Sequence, residues 1–422
     1  MSEEDRRLSQ EQQQNYEEEQ HGEEQEEETY ISNEDIEDDI HVTGPEGDVS
    51  MDEEEEEGEG DMMMDEEEQE EVELNDDSVQ GFFEHKQPVY SVAFHPTNPA
   101  LVASGGGDDH AYIWNCLDGE KVHDLKAHTD SITCVAFNVN GQYVASGGMD
   151  GFVRVSRTDT GECIQELEPS GEIIWIHWHP KGNVLLAGTN EGTIWMWTIP
   201  TGTVMQVISG HSESITDGRF THDGKRIVTV SEDCSLGVWD PRTGGSVCRV
   251  SGQEDGRFHP EPITCVALSK DDTLALTGST DGSARLIRTE TGAIIQSFEA
   301  HTESVESVGF CDVLPLAALG SVDGSISIWD INTMKIRKTV RHEDAVIQVQ
   351  WLPNSPLFLS CSADRTIRLW DARNGECLRT WVGHQDSVLA MDAYTETIGT
   401  EGHAQVYVVT GSDDGCALVF RR

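Results

Sequence analysis

The 422-residue sequence is short of positive charge: 27 Lys and Arg stand against 80 Asp and Glu, for a formal net charge of −53. Phosphate recognition needs dense Lys and Arg, so this shortage disfavours nucleic acid and anionic membranes as partners and favours a basic partner. No run of about 18 apolar residues is present, which argues against a transmembrane helix, and no basic and apolar secretory leader is found. The ten cysteines form no Cys-x-x-Cys pair, so we expect reduced thiols and a cytoplasmic protein, with the nucleus as a second compartment.

The acidic charge is distributed unevenly along the chain. Residues 1–80 hold 36 acidic and two basic residues, whereas the remaining 342 residues hold 44 acidic and 25 basic ones. Residues 1–77 contain too few apolar side chains to offset the entropy of ordering, and their like charges repel, so they are predicted to be a disordered acidic tail. Such a tail serves either as a solubility segment, or as an electrostatic decoy for a cationic partner or a competitor for its site.

Residues 78–422 repeat with a period of about 40–45 residues. Each unit begins with a histidine in a turn, followed by apolar residues four and nine positions later, a second strand, a turn with Asp and then, in most units, Trp six residues further on. The turn histidines are His85, His128, His211, His259, His301, His342 and His384, with Pro169 at the corresponding position of the third unit. This period is typical of four-stranded propeller blades, and the sequence resembles the WD-repeat family.

The count of units predicts an all-β protein, an eight-bladed WD-repeat β-propeller that spans residues 78–422. The last unit supplies only three strands, while the segment 79–83 before the first unit is strand-like and unassigned. We expect this segment to pair as the outer strand of the last blade and to close the ring. The alternative is a seven-bladed propeller in which the third unit is malformed.

Four polar residues recur together in the units, and their repetition indicates a structural role. A hydrolase needs one Asp–His–Ser set, whereas this set recurs from unit to unit, so we expect no enzyme, no cofactor and no metal site. Buried polar groups persist where they are fully paired, and the resemblance implies a hydrogen-bond network that fixes the turns of each blade. The residues of the best-formed networks are His85, Ser104, Asp108 and Trp114; His211, Thr229, Asp233 and Trp239; and His342, Ser360, Asp364 and Trp370.

Several units depart from this pattern. Leu319 replaces the Ser or Thr of the sixth unit, and the third unit has Ala187 and Glu191 in place of Ser/Thr and Asp. The third unit is instead rich in tryptophan, which we expect to pack its core. The positions that lack the Trp of the network are Ser156, Ile287 and Phe420.

The histidine turn and the Asp turn of a blade open on the same side of a propeller. Positions two, three and five after the histidine, and the one before the Asp, therefore form a surface around the channel mouth, here named the rim. Its acidic members are Asp130, Glu172, Glu213, Glu232, Glu261, Glu303, Glu306, Asp344, Asp386 and Asp413, and the 32 rim positions contain no Lys or Arg. With Tyr90 and Met149 as apolar contacts, the rim is predicted to bind a Lys/Arg-rich segment of a partner.

Three stretches narrow the resemblance: "VYSVAFHPTNPALVASGGGDDHAYIW", "GEIIWIHWHPKGNVLLAGTNEGTIWMW" and "SVESVGFCDVLPLAALGSVDGSISIWD". With the acidic tail they resemble the family of angio-associated migratory cell protein and its fungal relatives. The resemblance implies a dedicated chaperone that binds a basic, newly made large-subunit ribosomal protein of the L16 family (L10 in eukaryotes) and delivers it for ribosome assembly. This function agrees with the acidic rim, which we expect to bind the basic N-terminal segment of that protein, and we expect the chaperone to be a monomer.

Two other functions stay open at this stage. The motif Trp370–Asp371–Ala372–Arg373, with a second copy at 239–242, matches a Trp-Asp-x-Arg pattern with which some WD repeats dock onto cullin adaptors, so a substrate receptor of a ubiquitin ligase is one alternative. A signalling or cell-migration scaffold is the other. Co-purification of a ribosomal protein, of a cullin adaptor or of neither separates the three functions.

Overall fold

The structure is a computed structural model that describes residues 76–398 and 403–422. These residues form 32 β-strands in eight four-stranded antiparallel sheets, with no helix among them and so none that could cross a membrane. The eight-bladed propeller is confirmed, and the third unit is a complete blade. The predicted disordered tail falls outside the described residues except at Asp76 and Asp77.

The first four blades follow one another in sequence order. Their strands are β2(Val89–Phe94), β3(Leu101–Gly106), β4(Ala111–Asn115) and β5(Lys121–Asp124) in blade 1; β6(Ile132–Phe137), β7(Tyr143–Gly148), β8(Val153–Arg157) and β9(Cys163–Leu167) in blade 2; β10(Ile173–Trp178), β11(Val184–Thr189), β12(Thr193–Thr198) and β13(Thr203–Ser209) in blade 3; and β14(Asp217–Phe220), β15(Ile227–Val230), β16(Ser235–Trp239) and β17(Ser246–Ser251) in blade 4.

Blades 5 to 7 keep this order, and blade 8 completes its sheet with the first strand of the chain. Their strands are β18(Ile263–Leu268), β19(Leu274–Ser279), β20(Ser283–Arg288) and β21(Ile294–Glu299) in blade 5; β22(Val305–Phe310), β23(Leu316–Ser321), β24(Ser325–Asp330) and β25(Lys335–Arg341) in blade 6; β26(Val346–Trp351), β27(Leu357–Ser362), β28(Ile367–Asp371) and β29(Glu376–Trp381) in blade 7; and β30(Val388–Ile398), β31(His403–Ser412), β32(Ala417–Arg421) and β1(Gln80–Phe82) in blade 8.

The strands of a blade differ in how deeply their side chains are buried. In blade 6 the second strand β23 is buried along its whole length, whereas the outer strand β25 is exposed at all positions except Val340. The middle strands are sandwiched between neighbouring blades, so both of their faces carry apolar residues. The outer strands pack on one side only, which explains their mixture of apolar and charged residues.

The ring closes through β1, which pairs antiparallel with β32. Gln80 lies opposite Val419 and Phe82 opposite Ala417, so the amino-terminal strand is the outer strand of the carboxyl-terminal blade. The segment expected to close the ring was 79–83, and the paired strand covers its central three residues. Phe82 is buried and stacks on Trp114 of blade 1 at 5.2 Å between ring centroids.

The folded part begins slightly earlier than the boundary expected at residue 78. The backbone N–H of Asp77 donates to the carbonyl of Val382 (2.8 Å), and the N–H of Val382 donates to the Asp77 carboxylate (3.2 Å). Asp76 and Asp77, assigned from sequence to the acidic tail, therefore belong to the propeller. Acidic residues at this edge accept hydrogen bonds that the charge pattern alone did not indicate.

Side chains of the innermost strands tie neighbouring blades together around the channel. The Ser91 hydroxyl accepts a hydrogen bond from the Val135 backbone N–H (3.0 Å), and Ser307 accepts one from Val349 in the same way (3.0 Å). Between blades 8 and 1, where the ring closes, the Asp392 carboxylate accepts a hydrogen bond from the Phe94 backbone N–H at 2.8 Å. These contacts help to fix the relative positions of neighbouring blades, on which the arrangement of the rim depends.

Candidate functional site

The complete polar network is best seen in blade 7, where it joins four side chains in a row. His342 Nδ1 lies 2.8 Å from the Asp364 carboxylate, His342 Nε2 lies 2.7 Å from Ser360 Oγ, and Trp370 Nε1 donates to the same Oγ at 2.8 Å. A carboxylate only accepts, so Nδ1 carries the proton and Nε2 accepts from the Ser360 hydroxyl. Blade 4 repeats the chain with His211, Thr229, Asp233 and Trp239.

Blade 1 contains only part of the network that its sequence suggested. His85 contacts Asp108 at 3.0 Å and Ser104 at 2.9 Å, as expected. Trp114, expected as the fourth member, is fully buried, but its indole N–H has no hydrogen-bond partner among the described residues. Stacking on Phe82 of the closing strand holds this indole instead.

Blade 6 replaces the missing hydroxyl with one from a neighbouring strand. Leu319 stands where other blades have Ser or Thr, but Ser327 on β24 lies 2.7 Å from His301 Nε2 and accepts from Trp329 Nε1 at 3.0 Å. The two positions are cross-strand partners, since Leu319 pairs with Ser327 in the register of β23 and β24. A search for Ser or Thr two residues before the Trp would have found this replacement.

Burial and hydrogen bonding act in opposite directions on the network carboxylates. Burial raises the pKa of Asp364, but the hydrogen bonds from His342 and Thr366 outweigh burial and hold this pKa well below its usual value. In blade 2, the same balance with His128, the Thr129 N–H and Arg154 lowers the pKa of Asp150 to about 2. These two network carboxylates are therefore ionised over the physiological pH range.

Blade 3 is held by tryptophans, as its composition indicated. Trp175 Nε1 donates to the Ile215 carbonyl of blade 4 (3.0 Å), and Trp178 Nε1 donates to the Ala136 carbonyl of blade 2 (3.0 Å). Trp197 is 2% exposed and stacks on Trp195 with 5.9 Å between ring centroids. Two of the four indoles thus connect blade 3 to its neighbours on both sides.

The rim has the same backbone geometry in all eight blades. The N–H of the residue before the turn Asp donates to the carbonyl of the residue three after the turn His, at 2.8 to 3.1 Å. The eight donor–acceptor pairs are Gly107–Pro88, Met149–Ser131, Asn190–Glu172, Glu232–Ser214, Thr280–Pro262, Val322–Ser304, Ala363–Ala345 and Asp413–Ser387. Each pair brings two of the predicted rim positions next to each other, including the pair in blade 3, which lacks the histidine.

A second contact fixes the acidic residue two positions after the histidine. In five blades a buried serine, two residues before the turn Asp, donates its hydroxyl to the carbonyl of that acidic residue at 3.0 to 3.3 Å. The pairs are Ser231–Glu213, Ser279–Glu261, Ser321–Glu303, Ser362–Asp344 and Ser412–Asp386. The backbone of these five residues is held while their side chains are exposed to solvent.

The rim residue five positions after the histidine lies in a β-bulge, which the sequence did not reveal. Seven of the inner strands skip one residue in their pairing at this point. The skipped residues are Tyr90, Thr133, Ile174, Thr264, Glu306, Ile347 and Leu389. A bulge redirects the side chain of the extra residue, and this places Glu306 and the aromatic ring of Tyr90 on the rim.

The predicted acidic residues differ in burial. Eight of the ten are exposed, whereas Glu306 and Asp413 are half-buried, and the apolar contacts Tyr90 and Met149 are 39% and 44% exposed. Burial raises the pKa of Asp413, and the neighbouring charges of Asp386 and Asp414 raise it further. The carboxylates of blade 8 thus repel one another at close range, so a bound cation would relieve this repulsion.

The opposite mouth of the channel has a different character. A cavity of about 550 Å³ lies there, formed by blades 2 to 7 and lined by aromatic rings such as Phe137, Phe310 and Trp351. Arg219 also lines it and pairs with Asp217 at 3.1 Å. A basic side chain thus occurs at this end, whereas the 32 rim positions contain no Lys or Arg.

The residues of the two Trp-Asp-x-Arg motifs are also at that opposite end of the blades. The Arg373 guanidinium is paired with Asp371 of the same motif at 2.5 Å. In the other copy, the Arg242 N–H donates to the Asp240 carboxylate and the Arg242 carbonyl accepts from Gln206. Both motifs therefore make contacts within their own blade or with a neighbouring one. Among the described residues, no group of His, Cys, Asp and Glu is arranged to hold a metal ion.

Comparison with protein families gives eight matches to one repeat. The profile described as "WD domain, G-beta repeat" matches residues 77–115, 119–155, 161–198, 202–240, 252–288, 292–330, 334–371 and 375–421. The third of these matches covers the blade that lacks most of the polar network. The sequence outside the matches is mainly the acidic region before residue 77.

Two curated relatives cover most of the chain. Angio-associated migratory cell protein of Homo sapiens is 36% identical over 362 residues, which are 81% of this chain and 82% of the relative. Ribosome assembly protein SQT1 of Saccharomyces cerevisiae is 26% identical over 381 residues, which are 83% of this chain and 88% of the relative.

A solved structure with the same fold has a bound partner. The crystal structure of Chaetomium thermophilum Sqt1 bound to the N-terminus of the ribosomal protein L10 aligns with a TM-score of 0.74 at 27% identity. The alignment covers 82% of this chain and all of that chain. The likeness thus extends over the whole propeller.

Proposed function

The chain belongs to the WD domain, G-beta repeat family and, within it, to the angio-associated migratory cell proteins, and from this we propose that it is a ribosome-assembly chaperone for a basic large-subunit ribosomal protein. It binds the Lys/Arg-rich N-terminal segment of that protein, of the L10 type, on the rim. It keeps the segment soluble until delivery to the assembling subunit. It acts as a monomer in the cytoplasm, with the nucleus as a second compartment.

The observation that carries this proposal is the charge of the rim. Ten carboxylates and no Lys or Arg occupy its 32 positions, although the residues after position 80 include 25 basic ones. Uniform hydrogen bonds between the histidine and Asp turns hold these positions in place, so little ordering is needed on binding. A preorganised negative surface attracts a cationic polypeptide and forms charge-assisted hydrogen bonds with its Lys and Arg side chains.

The relatives support the same assignment. The yeast relative is named for ribosome assembly, and a fungal protein of this fold is solved with the N-terminus of L10. A free ribosomal protein is cationic and prone to aggregate, and its positive charge is what an acidic surface would mask. The ligase-receptor and scaffold alternatives have no comparable support from a specific contact.

The test is charge reversal on the rim of the full-length chain. A variant with Glu172, Glu232, Glu306 and Asp413 each changed to Lys is expected to bind an N-terminal L10 peptide about 100-fold more weakly than the wild type. Isothermal titration calorimetry at two salt concentrations measures this, and the wild-type affinity should fall as salt increases.

The matched control reverses four exposed carboxylates at the opposite end of the blades, namely Glu120, Glu162, Glu290 and Glu376. It changes net charge by the same amount and should retain most of the affinity. Equal losses in both variants would show that total charge attracts the peptide, and unchanged affinity in the rim variant would remove the rim from the mechanism. Co-purification of a cullin adaptor in place of the ribosomal protein would favour the ligase alternative.

A further inference from the structure

The residue that follows the turn Asp has an unusual backbone conformation in every blade. In five blades it is glycine, with φ between 74° and 78°, namely Gly151, Gly192, Gly282, Gly324 and Gly415. In the other three blades it is Asp109 (φ 67°), Cys234 (φ 57°) or Arg365 (φ 67°). Side chains with a Cβ rarely adopt this left-handed region, so these three positions are strained.

The space at this position is also restricted. A Cβ on Gly192 would lie 2.7 Å from the His211 carbonyl oxygen and 2.8 Å from that of Glu213. At Gly282 the corresponding distances, to the carbonyl oxygens of His301 and Glu303, are 2.6 Å and 3.0 Å. A side chain here therefore crowds the histidine turn of the next blade, at the carbonyl of the acidic residue that forms the rim.

Two of the three exceptions have a local explanation. The Cys234 thiol lies 3.5 Å from the carbonyl oxygens of Glu232 and Pro260, so it bridges the seam between blades 4 and 5. Aspartate, as at position 109, is one of the residue types that tolerate this conformation. Arg365 has neither explanation, because it is exposed and its guanidinium makes no hydrogen bond or ion pair with any residue in 76–398 or 403–422.

Arg365 is also out of place electrostatically. By the repeat, it stands at the seam between blades 7 and 8, beside the histidine turn that carries Asp386. The two blades contribute Asp344, Asp386 and Asp413 to the rim. A cation here interrupts a surface whose own positions carry only neutral or negative residues. Backbone strain retained at an unpaired, exposed side chain suggests that this side chain acts on a partner.

We propose that Arg365 is a specificity-determining residue of the client site, an inference that rests on the proposed function. Six of the eight blades carry Asp or Glu two residues after the turn histidine or its equivalent, so rotated placements of a basic segment would be nearly equivalent. Arg365 repels a client Lys or Arg from the seam between blades 7 and 8, and its guanidinium favours a client group there whose oxygen accepts a hydrogen bond. One placement of the client is thereby favoured over the others.

The experiment compares two peptides on the full-length chain. One is the N-terminal L10 segment, and the other has the same composition in shuffled order. The wild type is expected to prefer the first, and Arg365→Gly should lower the ratio of the two affinities at least about fivefold, mainly because the shuffled peptide binds more tightly. Arg365→Lys keeps the charge and should keep most of the ratio.

Two outcomes overturn the inference: an Arg365→Gly variant in which both affinities change by the same factor, or a wild type that binds both peptides equally well. The first would indicate only a general change in charge. A wild type that binds neither peptide, or a rim reversal variant that binds both as well as the wild type, would instead contradict the proposed function.

A matched variant separates backbone strain from recognition. Asn354 has φ 52° in a turn at the opposite end of blade 7, and Asn354→Gly relieves a similar strain away from the rim. Both glycine variants are expected to keep or raise the melting temperature by about 1–2 °C. Only Arg365→Gly should change the affinity ratio.

Discussion

Blades 7 and 3 build the same architecture with different interactions. In blade 7 a row of Trp370, Ser360, His342 and Asp364 joins the two turns of the blade. In blade 3 Pro169, Ala187 and Glu191 occupy three of these positions, and indoles contact the neighbouring blades instead. Blade 7 is stabilised by hydrogen bonds within the blade, whereas blade 3 is stabilised by hydrogen bonds to blades 2 and 4.

The rim is nevertheless alike in the two blades. The N–H of Ala363 donates to the Ala345 carbonyl at 2.9 Å in blade 7, and the N–H of Asn190 donates to the Glu172 carbonyl at 3.1 Å in blade 3. Backbone pairing between the turns therefore suffices to position rim residues. The polar network mainly stabilises the blade, and blade 3 obtains this stability from its tryptophans. The rim residues can therefore vary in sequence without loss of the blade.

The largest effect is expected from removal of an indole in blade 3. Trp197→Ala should lower the free energy of unfolding by about 3–5 kcal/mol, because Trp197 is 2% exposed and packs between blades 2 and 3. Denaturant titration followed by far-ultraviolet circular dichroism measures the loss. Val204→Ala, on the exposed outer strand of the same blade, should cost less than about 0.5 kcal/mol. Similar losses in the two variants would contradict the role given to the indoles.

A smaller effect is expected when blades 7 and 3 each receive the other's residue at the Ser/Thr position of the network. Ser360→Ala leaves His342 Nε2 and Trp370 Nε1 without their shared partner and should cost about 1–3 kcal/mol of unfolding free energy. Ala187→Ser, in fully buried surroundings without a turn histidine, should also destabilise, because the added hydroxyl lacks that partner. The same titrations measure both, and a stabilising Ala187→Ser would show that blade 3 can accept the network.

The smallest expected effect is a change with pH in the free energy of unfolding that Asp364 contributes. The pKa of Asp364 is held below its usual value in the folded state, so the stability due to its charge is present above about pH 4 and is lost as pH falls. The destabilisation by Asp364→Asn should therefore be about 1 kcal/mol smaller at pH 3 than at pH 7.

Thermal unfolding of both proteins across this pH range tests the prediction. Glu191→Gln in blade 3 is the matched control, because Glu191 is exposed and no turn histidine is present to donate to it. Its effect should be under about 0.5 kcal/mol at both pH values. An Asp364→Asn cost that does not vary with pH would mean that the charge of Asp364 contributes nothing to stability.

The polar networks show how far reading along the chain can go. Those of blades 4 and 7 were predicted residue by residue, because all four members stand at fixed distances from the turn histidine. Ser327 was missed because its hydroxyl replaces that of a cross-strand partner, and Trp114 was misassigned because its contact is with the closing strand. Both errors arise where the deciding neighbour belongs to another strand.

The sequence by itself determined the number of blades, the order of their strands, the closing segment at the amino terminus and the identity of the acidic rim residues. These features depend on local periodicity, which repeats eight times and so outweighs any single irregular unit. Only the tertiary structure decided the β-bulges that turn Tyr90 and Glu306 onto the rim, the proximity of Asp386 and Asp413, and the strained place of Arg365. Their cause lies in contacts between different strands and turns, such as the pairing of β22 with β23 that skips Glu306 and the approach of Asp386 to Asp413, and no pattern along the chain encodes these contacts.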